Sequence, residues 1–236
     1  MLRVEDLNAG YGELHVIFDI DLEAPEREIT VLVGPNGSGK STLLKAIFGL
    51  ATVYSGKVLF KDREITKVPP HERAKNGIAY LPQVENIFTN LTVEENLKIA
   101  GYVLDDTSYR EGLELALNAF PELERFMHRK AGTLSGGERQ FLAIATALIR
   151  KAELIMLDEP TAQLSPKLAE AMFKRITHLR DGLGITVILV EQDIRRALGI
   201  GDGAYLLVSG RLAFRGGAKD LLEHEDFEKL CMGILA

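Results

Sequence analysis

Short apolar runs alternate with amphipathic stretches along most of this 236-residue chain. Ile29-Thr30-Val31-Leu32-Val33, Leu154-Ile155-Met156-Leu157 and Ile185-Thr186-Val187-Ile188-Leu189-Val190 are short and mostly β-branched or leucine-like, so they read as buried strands. Residues 41–48 place Leu43, Leu44, Ile47 and Phe48 on one helical face, with Gly49 where a C-terminal cap belongs. The run from Glu138 to Arg150 follows Ser135, a good N-cap, and reads as a helix. Ser165-Pro166 is an N-cap with proline at the first helical position, and it predicts a helix to about Arg180. Strands in alternation with helices predict an α/β fold with a mostly parallel sheet.

The N-terminal part and the middle break this rhythm. Residues 2–7 and 15–22 read as strands, the second with Val16, Phe18, Ile20 and Leu22 at period 2, separated by a loop Asn8-Ala9-Gly10-Tyr11-Gly12. Val58-Leu59-Phe60 begins another strand after a Ser55-Gly56 turn, and this N-terminal β part is expected to be antiparallel. Pro69 to Ala74 reads as a short helix, and Gly77 to Leu81 as a strand that Pro82 stops. Gln83 opens a loop to Asn90. Thr92-Val93-Glu94-Glu95 is then a capping box starting a helix through about Gly101. Residues 108–119 predict a second helix with Leu113, Leu117 and Phe120 on one face. No Gly/Ser-rich linker sets these helices apart, so residues 84–135 read as a helical subdomain inserted in a single domain, 1–236, whose core is 1–83 and 136–236. Tyr205 to Val208, the turn Ser209-Gly210 and Leu212 to Phe214 predict a hairpin, and residues 218–236 a charged helical tail.

Hydrophobic residues make up 46% and charged residues 26%, as in an ordinary globular protein. The net charge of -6 leaves no overall footprint for nucleic acid, and no nucleic-acid partner is expected. Cys231 is the sole cysteine, which excludes an internal disulfide and a cysteine-cluster metal site. Met1-Leu2-Arg3-Val4-Glu5-Asp6 is charged where a signal peptide would be apolar, and runs such as Phe141 to Ile149 fall short of the ~20 residues that span a bilayer. These features predict a cytoplasmic protein able to dock on a membrane protein.

Gly34-Pro35-Asn36-Gly37-Ser38-Gly39-Lys40-Ser41 fits the phosphate-binding loop G-x-x-x-x-G-K-[ST] at every fixed position, between a predicted strand and a predicted helix. Glycines 37 and 39 let the backbone bend tightly and bring its N–H groups against phosphate oxygens at a helix N-terminus. Lys40 is suited to the β- and γ-phosphates as a point charge, and the Ser41 hydroxyl to Mg²⁺. The strand Leu154 to Leu157 ends in Asp158-Glu159. Beside a phosphate-binding loop these two suit a carboxylate that holds Mg²⁺ through water and a general base near the attacking water; alone, they would read as a solvated loop. Tyr11, held between glycines, is open to two readings, a packing residue or a stacking platform for a purine.

Leu134-Ser135-Gly136-Gly137-Glu138-Arg139-Gln140 resembles the LSGGQ-type signature of ATP-binding cassette (ABC) ATPases, and the resemblance covers essentially the whole chain. It implies a P-loop NTPase core that binds ATP and Mg²⁺ and hydrolyses ATP. Tyr11 matches the aromatic that stacks on adenine, Gly34 to Ser41 the Walker A loop with Thr42 following, and Gln83 the Q-loop glutamine. Asp158 matches the Walker B aspartate and Glu159 the catalytic glutamate. By the same resemblance, metal contacts fall to Ser41, Gln83 and Asp158, and catalytic roles to Glu159 and Lys40; Gln192 is the third expected catalytic residue, on its position rather than on a family match. Two cassettes of this family sandwich two ATP molecules head to tail, so Ser135, Gly136 and Gly137 would contact the γ-phosphate held by a partner subunit.

Two positions leave the family pattern. The switch-loop histidine is Gln192, and the D-loop aspartate falls at Ser165 in Ala162-Gln163-Leu164-Ser165. Gln192 lies two residues beyond a predicted strand and is expected to act as a neutral γ-phosphate sensor; a solvated loop residue is the other reading. Ile87 to Leu97 and Leu189-Val190-Glu191-Gln192 look like the shorter ATP-binding subunit of branched-chain amino acid importers, with amide and urea importers similar. The resemblance implies a second ATPase subunit, in a homo- or heterodimer, and membrane permease subunits at the cytoplasmic face of the membrane. The helical insertion and the loop from Gln83 to Leu91 are the expected docking surface. A soluble ABC ATPase serving nucleic acid, the ribosome or iron–sulfur assembly is the rival reading.

Overall fold

The computed structural model describes residues 1–84, 86–162 and 164–234. In chain order its elements are β1 (Leu2–Tyr11), β2 (Leu14–Ala24), β3 (Ile29–Val33), α1 (Lys40–Phe48), β4 (Thr52–Phe60), β5 (Arg63–Glu64), α2 (Pro70–Lys75) and β6 (Ile78–Leu81). Next come α3 (Val93–Ala100), α4 (Asp106–Ala119) and two 3₁₀ turns, Pro121–Phe126 and Ala131–Thr133. The chain continues with α5 (Gly136–Ile149), β7 (Leu154–Asp158), α6 (Pro166–Asp181), β8 (Thr186–Val190), α7 (Ile194–Ile200), β9 (Gly203–Val208), β10 (Arg211–Gly217), α8 (Ala218–Leu222) and α9 (Phe227–Cys231).

Two sheets form. One has four strands in the order β2-β1-β4-β5 with antiparallel pairing, and the other six in the order β10-β9-β3-β8-β7-β6. In the larger sheet β9, β3, β8, β7 and β6 run parallel and only β10 is antiparallel. All five residues of β3, β7 and β8 are buried, because both faces of this sheet are covered. On one face Leu32, Met156 and Ile188 join Leu43, Leu44 and Ile47 of α1 and the inward residues of β1 and β2. On the other, Val31, Ile155 and Val187 pack with α5 and α6 through Leu142, Leu148, Met172 and Ile176. The P-loop helix α1 therefore lies between the two sheets, and this fixes the loop before it.

Several sequence expectations need correction. Asn8 to Tyr11 are not loop: β1 pairs on both sides, with Ala9 opposite Ile17 and Val53, and backbone pairing overrides the glycine signal. The alternation expected of Val16, Phe18, Ile20 and Leu22 slips within β2, where Ile17 is buried before Asp19 and Ile20 and Leu22 after it. Asp19 has φ +52°, and the register to β1 shifts there, as an inserted bulge residue requires. Ser55-Gly56 is likewise inside β4 rather than before it; Gly56 has φ +86°, and a Cβ there would lie 2.4 Å from Asp6 O. In α4 the fully buried face is Gly112, Ala116 and Ala119, with Leu113 and Leu117 only half-buried, because the small residues let α4 approach the backbone of Ile149 in α5. The tail is two short helices, α8 and α9, and its last residues, Leu235 and Ala236, lie outside the described residues. Helix α7, right after Asp193, went unread: Asp193 Oδ1 accepts from Arg196 N at 3.2 Å and caps it.

Between β6 and α5 the chain is helical. Thr92 and Glu95 form the capping box of α3, with Glu95 N donating to Thr92 Oγ1 at 3.1 Å and Thr92 N to Glu95 Oε2 at 2.7 Å. Arg73 of α2 is 1% exposed and spends its guanidinium on four carbonyls, Val68, Thr66, Ala46 and Ile47. Two of those carbonyls belong to the last turn of α1, so a cation sits at the negative end of the P-loop helix dipole. Burial lowers the Arg73 pKa to about 10.

Candidate active site

The loop from Gly34 to Gly39 leaves the carboxyl end of β3 and turns into α1. Gly34 has φ +144° and Gly39 φ +104°, and a Cβ on either would collide, 2.0 Å from Leu207 O and 2.6 Å from Ile17 Cγ2 respectively. Position 39 is the N-cap of α1 and has no side chain to cap the helix, which leaves the first-turn N–H groups open to an anion. Ser38 Oγ, buried at 3% exposure, has no hydrogen-bond partner among the described residues. An orphaned hydroxyl among open N–H donors suits phosphate oxygens. Pro35 is half-buried and Asn36 and Gly37 are exposed, at the rim. Lys40 Nζ folds back across the loop and donates to Gly34 O and Pro35 O, each at 2.9 Å. Burial lowers the Lys40 pKa, against the opposing negative charges of Glu159 and Asp158.

Ser41, the second residue of α1, donates from Oγ to Asp158 Oδ1 at 3.1 Å, so the helix start and the end of β7 meet. Asp158 is 5% exposed, and its second oxygen accepts from the Tyr80 hydroxyl at 3.1 Å. Burial first, then the charge of Asp158, pushes the Tyr80 pKa well up, so its hydroxyl stays a donor. Ser41 and Asp158 offer only hard oxygen donors, the set Mg²⁺ takes when substrate phosphates complete its shell.

Glu159, one residue past Asp158, has φ +51°, and its N–H donates to Val190 O at 2.9 Å. Gln192 Nε2 donates to Glu159 Oε2 at 2.7 Å, which brings the ends of β7 and β8 together. Glu191 between them is 2% exposed. Its oxygens accept from Thr161 N at 2.9 Å and Gln192 N at 3.1 Å, and burial raises its pKa. Glu191 therefore holds the segment after Glu159 and the backbone of Gln192. Within Ala162-Gln163-Leu164-Ser165, Gln163 lies outside the described residues, and the Ser165 side chain makes no cap bond to α6.

Tyr11, 41% exposed, closes one side of the loop: its hydroxyl lies 3.5 Å from Thr42 Oγ1, and Lys45 Nζ is 5.9 Å from its ring centroid. Gln83 is exposed, and its carbonyl accepts from Gln140 Nε2 at 3.4 Å; among the described residues no hydrogen bond joins its side chain to Ser41 or Asp158. Ser135 caps α5, with its N–H donating to Glu138 Oε2 at 2.8 Å and its Oγ accepting from Glu138 N at 3.3 Å. Gly136 and Gly137 approach the side chains of Leu164 and Leu168, each 3.3 Å from where a Cβ would stand. Among the described residues no hydrogen bond links this signature to the loop of its own chain. Tyr80 and Glu191 are the site residues that the sequence reading passed over. Tyr80 is the penultimate residue of a parallel strand and Glu191 follows one directly, and the rule that ligands sit beyond the carboxyl ends of such strands was the signal available.

Residues 17–162 match the model of the ABC transporter family, and the chain belongs to that family. It is 66% identical over 235 residues, and over the whole of both chains, to the "Probable branched-chain amino acid transport ATP-binding protein LivF" of Archaeoglobus fulgidus. Among solved structures it is similar to an ATP-binding cassette of an ABC transporter in its ADP conformation, with TM-score 0.86, 27% identity and coverage of 98% of this chain and 97% of that one. A dimeric cassette in a post-hydrolysis state, bound to ADP and Pi, is similar with TM-score 0.80 and 27% identity over 92% of this chain and 99% of that one. The chain is thus a nucleotide-binding ABC ATPase domain.

Proposed function

We propose that this chain is the ATP-hydrolysing subunit of an importer for branched-chain amino acids. It would work as one of two cassettes beneath membrane permease subunits at the cytoplasmic face. The observation that carries the reading is the meeting of Ser41 with Asp158 and of Glu159 with Gln192 around one open helix N-terminus. The likeness to LivF supplies the substrate class.

The loop N–H groups and Ser38 would cradle the phosphates, and Lys40 would exchange its two carbonyl partners for them. Mg²⁺, held by Ser41 and through water by Asp158, would neutralise charge on the phosphate oxygens. Glu159 would take the proton of the attacking water, and Gln192 would hold Glu159 and sense the γ-phosphate. Gln83 would report that phosphate to the permease side. Ser135 and its two glycines would complete the site of a partner subunit, since their helix N-terminus has no phosphate contact to make in their own chain.

No described helix is long and apolar enough to cross a membrane, so coupling would need docking. A cavity of about 210 Å³ between β6, α3 and α5 is lined by Tyr80, Ile87, Phe88 and Ile99 among others. Phe88 is 58% exposed there, and Val84, in the same loop, is 59% exposed. This is an apolar seat for a permease segment; Glu85, in the same loop, lies outside the described residues. Reconstitution with the permease that co-purifies from membranes tests the proposal. ATP-driven uptake of leucine, isoleucine and valine is expected; uptake of amides or urea instead would redirect the substrate, and purification with ribosomes or nucleic acid and no permease would defeat the transport reading.

A further inference from the structure

We propose that Tyr80 is a positioning residue for the metal site, fixing the orientation of the Asp158 carboxylate so that Oδ1 stays aimed at Ser41. This inference rests on the reading above that Ser41 and Asp158 hold Mg²⁺ in the nucleotide complex.

The strand register puts Tyr80 in position for this role. In the parallel pair β6–β7, Tyr80 lies opposite Met156 and Leu81 opposite Leu157. Side chains alternate along a strand, so Met156 and Asp158 share a face, and a long side chain from Tyr80 can lean forward along the strand to Asp158. Its hydroxyl meets Asp158 Oδ2 at 3.1 Å, while the Ser41 hydroxyl meets Oδ1 at 3.1 Å. Each carboxylate oxygen thus has its own O–H donor. Asp158 is 5% exposed, so water offers little to replace either one.

The ring is held in turn. It packs tilted against Phe48, centroid to centroid 5.9 Å, at the last residue of the P-loop helix. Tyr80 and Phe48 both line the cavity between β6, α3 and α5. Tyr80 therefore touches the metal-site carboxylate, the far end of α1 and the apolar cavity with one side chain. Filling space against Phe48 needs only a phenyl ring. The hydroxyl has no other hydrogen-bond partner among the described residues, so Asp158 is what it is for.

Tyr80→Phe keeps the ring and removes the hydroxyl. The probe is Mn²⁺, titrated by electron paramagnetic resonance into the full chain carrying a non-hydrolysable ATP analogue, with the metal-free affinity for that analogue measured in parallel. Loss of a partner that orients a metal-holding group costs roughly 10–100-fold in metal affinity. Tyr80→Phe is expected to weaken Mn²⁺ binding about 10-fold while metal-free analogue affinity and melting temperature stay at wild-type values. Asp158→Asn is the control. If Asp158→Asn weakens Mn²⁺ binding and Tyr80→Phe does not, the positioning role is wrong and the metal-site reading stands. If Asp158→Asn also leaves Mn²⁺ binding unchanged, the metal-site reading itself falls and this inference with it. A loss of metal-free affinity in Tyr80→Phe equal to the loss with Mn²⁺ would overturn the inference in favour of simple packing.

Discussion

The amide of Gln192 donates to the carboxylate of Glu159 at 2.7 Å, joining the ends of two neighbouring parallel strands in front of the phosphate-binding loop. An amide can hold and orient a carboxylate but neither gives nor takes a proton at ordinary pH, so the pair leaves Glu159 as its single base. Gln192→Ala is expected to raise the barrier to turnover by about 1.5–3 kcal/mol, the worth of a hydrogen bond to a charged group. Affinity for ADP, which lacks the γ-phosphate, should stay near wild type. Steady-state hydrolysis and an ADP titration check both; undiminished hydrolysis would return Gln192 to the standing of a solvated loop residue.

Tyr11 stands partly open beside α1, and its hydroxyl approaches Thr42 Oγ1 only to 3.5 Å. The exposed ring is therefore the feature to test. If it stacks on adenine, Tyr11→Ala should lose ~1–3 kcal/mol of ATP binding and Tyr11→Phe little. Calorimetric titration separates the two; equal losses would point to the hydroxyl and against stacking.

Glu191 carries a pH dependence. Burial raises its folded pKa above the ordinary 4.5. The folded chain then holds this proton more tightly than the unfolded chain does, so the contribution is present in full below about 4.5 and lost as pH rises through the raised folded value. The urea midpoint of the wild type relative to Glu191→Gln should fall across that window and level off on either side. A difference independent of pH would contradict the assignment.

Motif residues in tight local geometry were legible in the sequence. Strands Ile29–Val33 and Leu154–Asp158 announce themselves by short, mostly apolar runs, the helix after Thr92 by the glutamate three residues on, and the helix after Ser135 by its N-cap. What escaped depends on neighbours distant in sequence. Tyr80 acts through a strand 78 residues away in the chain, and nothing local to it signals Asp158. The bulge at Asp19 flips a face of β2 because Phe18 and Asp19 together stand against Asn8 of β1, and the burial of Arg73 depends on carbonyls at the end of α1, distant in the sequence. The docking of the signature glycines against Leu164 and Leu168 is another long-range contact; the sequence motif speaks of phosphate and is silent on packing.

Glu159 is the proposed base of an ATPase whose two cassettes would close on ATP. Glu159→Gln keeps the size and the hydrogen bonding of the side chain and removes its charge. Size-exclusion chromatography with ATP and Mg²⁺, run beside a turnover assay, is the most direct test. The predicted result is turnover reduced ~10²–10⁴-fold, the range for a positioned general base, with the stalled protein eluting as an ATP-bound dimer. A monomer that hydrolyses ATP at the wild-type rate would contradict it.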